Sequence, residues 1–435
     1  MSSDTSTESL AISGGPKART RPEPPMFPGG VEVGQPEIDA ATRVLESKRL
    51  IRFYGPYDPE DTGVSEVDDF EQKFARYVGT SYALGVTSCT ASLMTALAAL
   101  GVGPGDEVIM PAYTMVATPS AALAVGGIPI VAEVDDSLTL DPASVEANVT
   151  EHTKAILPVH MRGMPTDMDA IMAIAERHDL AVVEDVAQAT GSTYKGRACG
   201  SIGHAGCFSL QMHKIITTGE GGMLVTDGAD TVFRAKCFHD AAAEFRGAAW
   251  MDPDPSIRDS FVAFPGMNFR QSELTAAIGK VQLDRLDGLL ERMRAHKAVL
   301  RETVASTGRV ELRRVTDAGE CATNLVFFTE APDSARAIAA ALDAEGVYSQ
   351  VLYVNDEFDW HVYAWWRDIL NKRTWNERGY PFSMARREIN YSRDMCPRSL
   401  DILSRAVLIN VPPQLTEQDV EETSEALRKT ISALS

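Results

Sequence analysis

The residues that could do chemistry together lie in three short segments, and the first contains Lys214. This lysine follows an apolar run by a few residues and precedes a glycine-rich turn, in the sequence SLQMHKIITTGEGG over 209–222. Glycines on a tight loop fix the backbone around the lysine, which suits a covalent role for its amine. A solvated surface charge is the alternative interpretation, because lysines are rarely buried.

The second segment, AVVEDVAQ over 181–188, ends an apolar run with two acids. An acid at the carboxyl end of a parallel strand faces the crevice in which ligands bind. One of these carboxylates could hold the protonated nitrogen of a heterocycle there. An N-cap for the element that follows is the alternative interpretation.

The third segment, VTSCTASLMTAL over 86–97, leads from an apolar run through small hydroxyl residues into a predicted helix rich in Ala and Leu. Small side chains at a helix start let a phosphate approach the free N–H groups and the positive end of the helix dipole. A simple hydroxyl cap explains the same residues. The sequence has no G-x-G-x-x-G fingerprint and no Walker loop, so nothing in it supports a dinucleotide or nucleoside-triphosphate site.

The elements that must position these segments form one predicted sheet. Between about residues 80 and 226, helical patterns separate most of seven apolar runs: YALGVT, EVIMPA, IPIVAEV, AILPVH, LAVVED, AGCFSL and GGMLVT. Nearly continuous apolar runs with crossovers predict an α/β fold with a mainly parallel, seven-stranded, doubly wound sheet. Ligands bind beyond the carboxyl ends of such strands, which makes the polar residues there, His160, Asp185 and Ser209, the first candidates.

The rest of the chain predicts an arm and a second domain. We expect a flexible N-terminal arm over 1–30, a large domain over 31–290 and a smaller C-terminal α/β domain over 291–435. Apolar spacing predicts helices over 37–48, 67–78, 271–304, 333–345, 361–371 and 416–433, and strands in NLVFFTE and AVLINV. The segment FYGPYDPEDTG predicts a long loop of the kind that borders enzyme sites.

Composition argues against several classes of partner. The chain has 435 residues with 41 basic and 61 acidic side chains, a formal net charge of −20 that repels nucleic acid and anionic membrane surfaces. Its six cysteines are dispersed, without a CxxC pair or a metal-ligand pattern, so we expect reduced thiols and no metal site. No signal-like or membrane-spanning stretch is evident, and a cytoplasmic protein is the expectation.

The order of phosphate turn, acid and lysine along one sheet resembles the sugar aminotransferases of the DegT/DnrJ/StrS family, within fold type I of the pyridoxal-phosphate (PLP) dependent transferases. The resemblance runs from about Gly34 to the C-terminus. It includes GVGPGDEVIMPAYT, AILPVHMRGMPTDMD, VVEDVAQATGSTYKGR, KIITTGEGGMLVTD, GMNFRQSELTAAI and CPRSLDILSRAVLINVPPQLTEQD. It implies a PLP cofactor, amino transfer, and a homodimer with shared active sites.

Position by position, the resemblance implies that Lys214 carries PLP as a Schiff base and that Asp185 pairs with the pyridinium nitrogen. Both would be catalytic: the carboxylate keeps the ring a good electron sink, and the freed amine moves the donor's proton if its pKa is lowered toward neutrality. The other implied cofactor contacts are Gln188 at the phenolic oxygen; Ser209, Thr90 and the backbone of Cys89 at the phosphate; Asn268 from the neighbouring subunit; and Met115 and Ala187 on the two ring faces.

Met115 stands where the family usually has an aromatic residue. A methionine covers a ring face but gives up aromatic stacking, so we expect an altered sandwich and a wider substrate space above the ring.

Gln211 is the residue that indicates a substrate class. Sugar-nucleotide members usually carry His or Tyr at this place, and Ser-[FL]-Gln resembles the branch that aminates cyclitols or builds aminobenzoate precursors of antibiotics. This implies a cyclic ketone as acceptor, from a cyclitol, a keto-sugar or a heterocycle, with glutamine or glutamate as donor in secondary-metabolite biosynthesis. The candidate substrate residues are His160, Gln211, Tyr54, Arg52 and His361, and His160 could equally be a core residue.

Two rival interpretations stay open. A PLP-dependent dehydratase or lyase would share the fold and break another bond, and His213 beside Lys214 is reminiscent of a dehydratase with His in place of the lysine. The register of KIITTGEGG nevertheless puts Lys214 at the Schiff-base position. A scaffold or regulatory role fits poorly with an intact set of Lys214, Asp185 and Gln188. Keto-acid formation stoichiometric with the donor would separate transfer from elimination.

Overall fold

The structure, a computed structural model, describes residues 9–52, 65–241 and 264–434. Its strands are, in chain order, β1 (Tyr82–Val86), β2 (Glu107–Pro111), β3 (Ile128–Ala132), β4 (Thr153–Ile156), β5 (Ala181–Asp185), β6 (Thr193–Tyr194), β7 (Arg197–Ala198), β8 (Ala205–Ser209), β9 (Gly222–Thr226), β10 (Glu311–Leu312), β11 (Asn324–Phe328), β12 (Ser349–Val351), β13 (Tyr353–Val354), β14 (Glu357–Phe358) and β15 (Ala406–Asn410).

The α-helices of the same ranges are α1 (Pro28–Val31), α2 (Gln35–Ser47), α3 (Glu66–Val78), α4 (Cys89–Ala99), α5 (Ala117–Ala124), α6 (Pro142–Asn148), α7 (Met168–His178), α8 (Ala229–His239), α9 (Glu273–Thr307), α10 (Pro332–Glu345), α11 (Arg367–Leu370), α12 (Pro397–Ser404) and α13 (Glu417–Leu434). Short 3-10 turns lie at Ala11–Ser13, Met161–Gly163, Tyr363–Trp365 and Phe382–Met384. Within the described ranges, no helix is both long enough and apolar enough to cross a membrane.

Strands β1 to β5, β8 and β9 form one sheet in the order β1-β9-β8-β5-β4-β2-β3. Strand β9 is antiparallel to its neighbours β1 and β8, and the other neighbouring pairs are parallel. The seven apolar runs of the sequence coincide with these strands. The predicted mainly parallel, seven-stranded α/β sheet is therefore confirmed.

Helices cover both faces of this sheet, because successive side chains of a buried strand point to opposite faces. In β5, Val182 packs into a cluster with apolar residues of α3, α7 and α9. Its neighbour Val183 packs into a second cluster, with residues of α4 and α5. The sheet is therefore doubly wound, as the sequence pattern predicts.

Helix α9 connects the large sheet to a smaller antiparallel sheet of order β10-β11-β15-β12. The Ser272 hydroxyl caps its start by accepting a hydrogen bond from the N–H of Thr275 (3.3 Å), and Gly308 ends it in the left-handed region (φ 61°). Apolar residues of α9, α10 and α13 form the core on the smaller sheet. The predicted division between 290 and 291 falls inside this continuous helix and remains a prediction.

The prediction of a helix over 361–371 is wrong. The segment holds a 3-10 turn and the single-turn helix α11, separated by Trp366 in a non-helical conformation (φ −74°, ψ 61°). The reason is a tertiary contact: the N–H of Thr114 donates to the carbonyl of His361 (2.8 Å), and the N–H of Tyr363 donates to that of Ala112 (2.9 Å). These bonds attach the segment to the end of β2 and replace helical hydrogen bonds.

The expectation of a loose arm over 1–30 is wrong for the part from residue 9 to Arg19. The Arg19 side chain is fully buried and pairs with Asp419 of α13 (2.9 Å). The carboxylate of Glu345, at the end of α10, accepts hydrogen bonds from the N–H groups of Ala11 (2.7 Å) and Ala18 (3.0 Å). Composition misses this docking because the partners are single polar groups far along the chain.

Candidate active site

The candidate residues gather at one edge of the large sheet. Since β1 and β8 are both antiparallel to β9, they run parallel to each other and to β5, β4 and β2. The carboxyl ends of all these strands therefore meet at the same edge. Strand β1 leads into the turn at 87–90, and β4 leads into the segment that contains His160. Strand β5 ends at Asp185, and β8 ends at Ser209.

Asp185 is a buried carboxylate with hydrogen bonds but no cation. Its Oδ2 accepts from the hydroxyl of Thr118 (2.9 Å), and its Oδ1 accepts from the N–H of Ala187 (3.0 Å). Burial raises the pKa of Asp185, against the lowering effect of these two bonds and of the nearby Lys214. Among the described residues, no basic group lies within ion-pairing distance of it. The carboxylate is thus shaped to receive a cationic partner, such as a protonated ring nitrogen.

Lys214 lies in the turn after β8. Its N–H donates to the carbonyl of Gln211 (2.9 Å), and its own carbonyl accepts from the N–H of Gly29 (3.2 Å). Its Nζ makes neither a hydrogen bond nor an ion pair with any residue that the structure describes. Burial lowers the pKa of Lys214, and the guanidinium of Arg162 adds to this, while the Asp185 carboxylate opposes it. A neutral amine is the nucleophilic form of lysine, so the environment favours covalent chemistry.

The turn into α4 offers an anion site. The Ser88 hydroxyl caps the helix by accepting from the N–H of Ala91 (3.1 Å). The N–H groups of Cys89 and Thr90, in the first turn, have no acceptor within the helix. Burial raises the pKa of the Cys89 thiol well above its ordinary value, so this residue offers its backbone rather than a thiolate.

Two further features fit this turn to a phosphate. The hydroxyl of Ser209, only 5% exposed, lies at the end of β8. Strand β9 packs against the turn so closely that a Cβ at Gly222 would lie 2.5 Å from the carbonyl carbon of Ser88. A helix dipole, free N–H groups and a hydroxyl are the donors that phosphates meet at helix N-termini.

The predicted ring contacts are accessible. Met115 is 39% exposed, and Ala187 and Gln188 are half-buried at the end of β5. The Oε1 atom of Gln188 accepts a hydrogen bond from the N–H of Arg162 (3.1 Å), and its amide NH₂ has no acceptor among the described residues. Asn268 is exposed, and the residue after it accepts a hydrogen bond from the N–H of Thr87 (3.0 Å).

Two of the predicted substrate residues have their polar atoms engaged by the protein. The fully buried His160 has its Nε2 2.9 Å from Glu184 Oε2, and its Nδ1 accepts from the N–H of Thr166 (3.0 Å). The structure therefore favours the core role of His160 over a substrate contact. Arg52 pairs with Asp68 (2.7 Å) and Glu71 of α3, which makes it a structural ion-pair residue in the single chain.

The other three candidates differ in position. Tyr54 lies outside the described residues. The Oε1 atom of Gln211 accepts from the N–H of His213 (2.8 Å), so its side chain folds back on its own loop. The Nδ1 atom of His361 lies 2.6 Å from Asp359 Oδ1, and Lys214 is among the charges that act on the pKa of His361, which burial lowers. The charge of Lys214 thus acts on His361, which lies among the described residues.

Sequence reasoning missed Arg162 and Thr118. Arg162 lies in the 3-10 turn after His160, and its charge acts on both Lys214 and His361. The available signal was its place directly after a strand-end residue, within the quoted AILPVHMRGMPTDMD. Thr118 follows Thr114 by one helical turn, and the two hydroxyls lie 2.7 Å apart. That spacing was visible, but its link to Asp185 was not.

A doubly wound sheet with a buried acid, a lysine amine that no described residue binds, and an open helix N-terminus at one edge fits the PLP-dependent enzymes of fold type I. Comparison with known proteins agrees and is more specific. Residues 34–368 match the model of the DegT/DnrJ/EryC1/StrS aminotransferase family, and the chain belongs to this family. The predicted family and cofactor are confirmed.

The chain is similar to characterised proteins of several kinds. It is 40% identical over 308 residues to the L-glutamine:2-deoxy-scyllo-inosose aminotransferase of Streptomyces lividus, which covers 70% of each chain. It is 41% identical over 264 residues to the spore coat polysaccharide biosynthesis protein SpsC of Bacillus subtilis (strain 168), 60% of this chain and 64% of that protein. The solved structure of 3-amino-5-hydroxybenzoic acid synthase superposes with a TM-score of 0.76 at 27% identity, over 95% of this chain and 100% of the other. The matched part thus spans somewhat under two thirds of SpsC.

Proposed function

We propose that this protein transfers an amino group from L-glutamine or L-glutamate to a ketone on a six-membered ring of a cyclitol, keto-sugar or heterocycle in secondary metabolism. One observation carries the proposal: Asp185 and Lys214 lie at one sheet edge, and no residue of the described ranges supplies a cation to the carboxylate or a hydrogen-bond partner to the amine. The name of the Streptomyces lividus relative supports the glutamine donor and the cyclic acceptor.

The residues present fit the cofactor at both of its ends. PLP, when bound, supplies an electron sink for the electrons released at the donor carbon. Lys214 would hold it covalently, the Asp185 carboxylate would pair with its ring nitrogen, and the amide NH₂ of Gln188 would donate to its ring oxygen. The free N–H groups of Cys89 and Thr90 and the hydroxyl of Ser209 would bind the phosphate.

Two side chains move or hold protons in this proposal. Burial lowers the pKa of Lys214, which favours the neutral Nζ; this amine would take the proton from the donor carbon and deliver it to the C4′ atom of the cofactor. Burial raises the pKa of Asp185, and the hydrogen bonds from Ala187 and Thr118 to its two oxygens oppose that rise, which favours the ionised carboxylate. The ionised carboxylate in turn keeps a hydrogen-bonded ring nitrogen protonated.

The proposal includes a cytoplasmic homodimer. In it, the exposed Asn268 completes the phosphate site of the neighbouring subunit. Three methionines are exposed, Met115 (39%), Met212 (39%) and Met267 (49%), and contact with a second copy or with substrate would cover such apolar side chains. Met115 would cover one ring face without aromatic stacking, which leaves room for a bulky ring substrate.

Absorbance of the purified protein tests the proposal. We expect the wild type to show the band of lysine-linked PLP and one amino donor to convert it to the aminated cofactor, with one equivalent of keto acid released. Lys214→Ala should lose the band and all turnover. Lys195→Ala is the matched control, because Lys195 is exposed and its amine pairs with the exposed carboxylate of Asp169. An unchanged band in Lys214→Ala, or ammonia in place of an aminated product, would contradict the proposal and favour a lyase.

A further inference from the structure

Arg162 is a cation in the candidate site whose partners are all neutral. Its Nε donates to the hydroxyl of Tyr113 (3.1 Å), and one terminal nitrogen donates to Oε1 of Gln350 (3.2 Å). No carboxylate of the described residues lies within 4 Å of it, whereas the buried Arg19 and Arg52 each pair with carboxylates. The other terminal nitrogen has no hydrogen-bond partner in the described part of the chain. Arg162 therefore keeps donors available for an anion.

The backbone holds this guanidinium in place. Arg162 has a left-handed conformation (φ 53°, ψ 41°), which a non-glycine residue adopts only when its surroundings require it. Its N–H bonds to the Gln188 side chain, and Tyr113, which binds its Nε, is completely buried. These hydrogen bonds hold Arg162 beside Gln188, a predicted cofactor contact.

The position relative to Lys214 identifies the anion. The N–H of Arg162 donates to the side chain of Gln188 (3.1 Å), three residues after Asp185, so Arg162 lies at the sheet edge of the candidate site. Its charge is also among those that lower the pKa of Lys214. A donor amine must occupy the place of the lysine amine during transfer, and the α-carboxylate of an amino acid is two bonds from that amine. The α-carboxylate is thus the anion that comes within reach of Arg162.

We propose that Arg162 binds the α-carboxylate of the amino donor and selects amino acids over simple amines. This inference rests on the proposed function and deepens it. Tyr113 and Gln350 are the positioning residues: they take two of the guanidinium donors and orient the rest toward the carboxylate. After the keto acid leaves, the same N–H groups can donate to a hydroxyl or carbonyl oxygen of the ring substrate.

The test compares L-glutamine with 4-aminobutanamide, which is L-glutamine without its α-carboxylate. In the holoenzyme, Arg162→Met should raise the apparent Kd for L-glutamine about 10- to 100-fold, the range expected for losing a charged hydrogen-bond pair. The affinity for 4-aminobutanamide should not change. Arg162→Lys should retain part of the preference for L-glutamine over 4-aminobutanamide, because lysine keeps the positive charge but cannot make the two parallel hydrogen bonds of a guanidinium. Arg177→Met, at an exposed residue of α7, is the control.

Two further measurements keep the inference falsifiable. Calorimetric binding of α-methyl-L-glutamine, which has no α-proton to lose, should weaken in Arg162→Met as much as L-glutamine does. If Arg162→Met fails to fold, Tyr113→Phe should lower the preference for the carboxylate by a smaller factor. Equal losses for both amines, or an unchanged preference in every variant, would overturn the inference alone. A wild type that no amino acid converts would overturn the proposed function and this inference with it.

Discussion

Strand β5 ends in two buried carboxylates on opposite faces of the sheet, and the protein treats them differently. The Glu184 carboxylate accepts three backbone N–H groups of the loop 200–203, at 2.6 to 2.8 Å, and lies 2.9 Å from His160 Nε2. Although burial opposes it, these partners lower the pKa of Glu184. Asp185 accepts two hydrogen bonds, and burial raises its pKa. One carboxylate is saturated by the protein, and the other is left incomplete.

Of these two adjacent residues, Glu184 stabilises the fold, and Asp185 is available to bind a ligand. A buried carboxylate that the protein fully satisfies strengthens the fold, because removing its partners or its charge leaves polar groups buried without bonds. An incomplete one costs stability in the absence of ligand and is kept for what it binds. His160 contacts both residues: its ring bonds to the Glu184 carboxylate, and its backbone N–H donates to the backbone carbonyl of Asp185 (3.0 Å).

Of the substitutions at these two carboxylates and their partners, Asp185→Asn should have the largest effect on catalysis. The amide keeps the shape but cannot hold a ring nitrogen protonated, and we expect kcat to fall about 10²- to 10³-fold, as for loss of a fixed electrostatic group. Stability should change in the opposite direction. The folded-state pKa is raised, so the ionised carboxylate destabilises the cofactor-free protein above the ordinary pKa of Asp, and the amide removes that cost.

Steady-state kinetics and urea unfolding of the cofactor-free protein measure the two effects of this substitution. A variant with reduced activity and equal or higher stability at neutral pH supports the comparison. A loss of several kcal/mol in stability would instead mean that Asp185 belongs to the same structural class as Glu184.

Glu184→Gln should have the reverse profile. It removes the charge of the carboxylate and so weakens its hydrogen bonds with His160 and with three backbone N–H groups. We expect a loss of about 3 kcal/mol in unfolding free energy, as for hydrogen bonds to a buried charged group. Because the folded-state pKa of Glu184 is lowered, its stabilisation is present above the ordinary carboxyl pKa and is lost as pH falls through the folded value. The difference in unfolding free energy between wild type and variant should therefore become smaller as the pH falls below about 4.

Urea unfolding of both proteins at neutral and acidic pH checks this. The folded fraction of Glu184→Gln should keep far more activity than Asp185→Asn does. A gap that stays constant with pH would show that the ionisation of Glu184 contributes nothing to stability.

The sequence predicts the open carboxylate and not the saturated one, for a physical reason. Strand ends follow from apolar runs, so the edge that carries Asp185 and Lys214 could be located. The partners of Glu184 lie 16 to 24 residues away, and those of Arg162 and Arg19 lie up to 188 and 400 residues away. Contacts of this kind depend on how loops meet after folding, and local patterns carry no information about them.

The same reason explains the wrong helix over 361–371. Its apolar spacing fits a helix, but hydrogen bonds to the end of β2 override the local preference. That attachment also places His361 where the charge of Lys214 acts on it. The resemblance to a family supplied the site residues, and the structure supplied the groups that orient them.

Thr118→Val tests the comparison with the smallest change. Valine keeps the volume of this buried residue and removes the hydroxyl that donates to Asp185 Oδ2. Losing a donor that lowers the Asp185 pKa should raise that pKa further, so the acidic limb of the pH profile of kcat should move to higher pH. We expect a loss of about tenfold or less in kcat, in line with one buried hydrogen bond of about 1 kcal/mol.

Ser120→Ala, on the same helix, is the control because its hydroxyl bonds to the carbonyl of Val116. If both variants keep the wild-type profile, Thr118 serves packing only, and the pKa of Asp185 is set by its burial and by the N–H of Ala187.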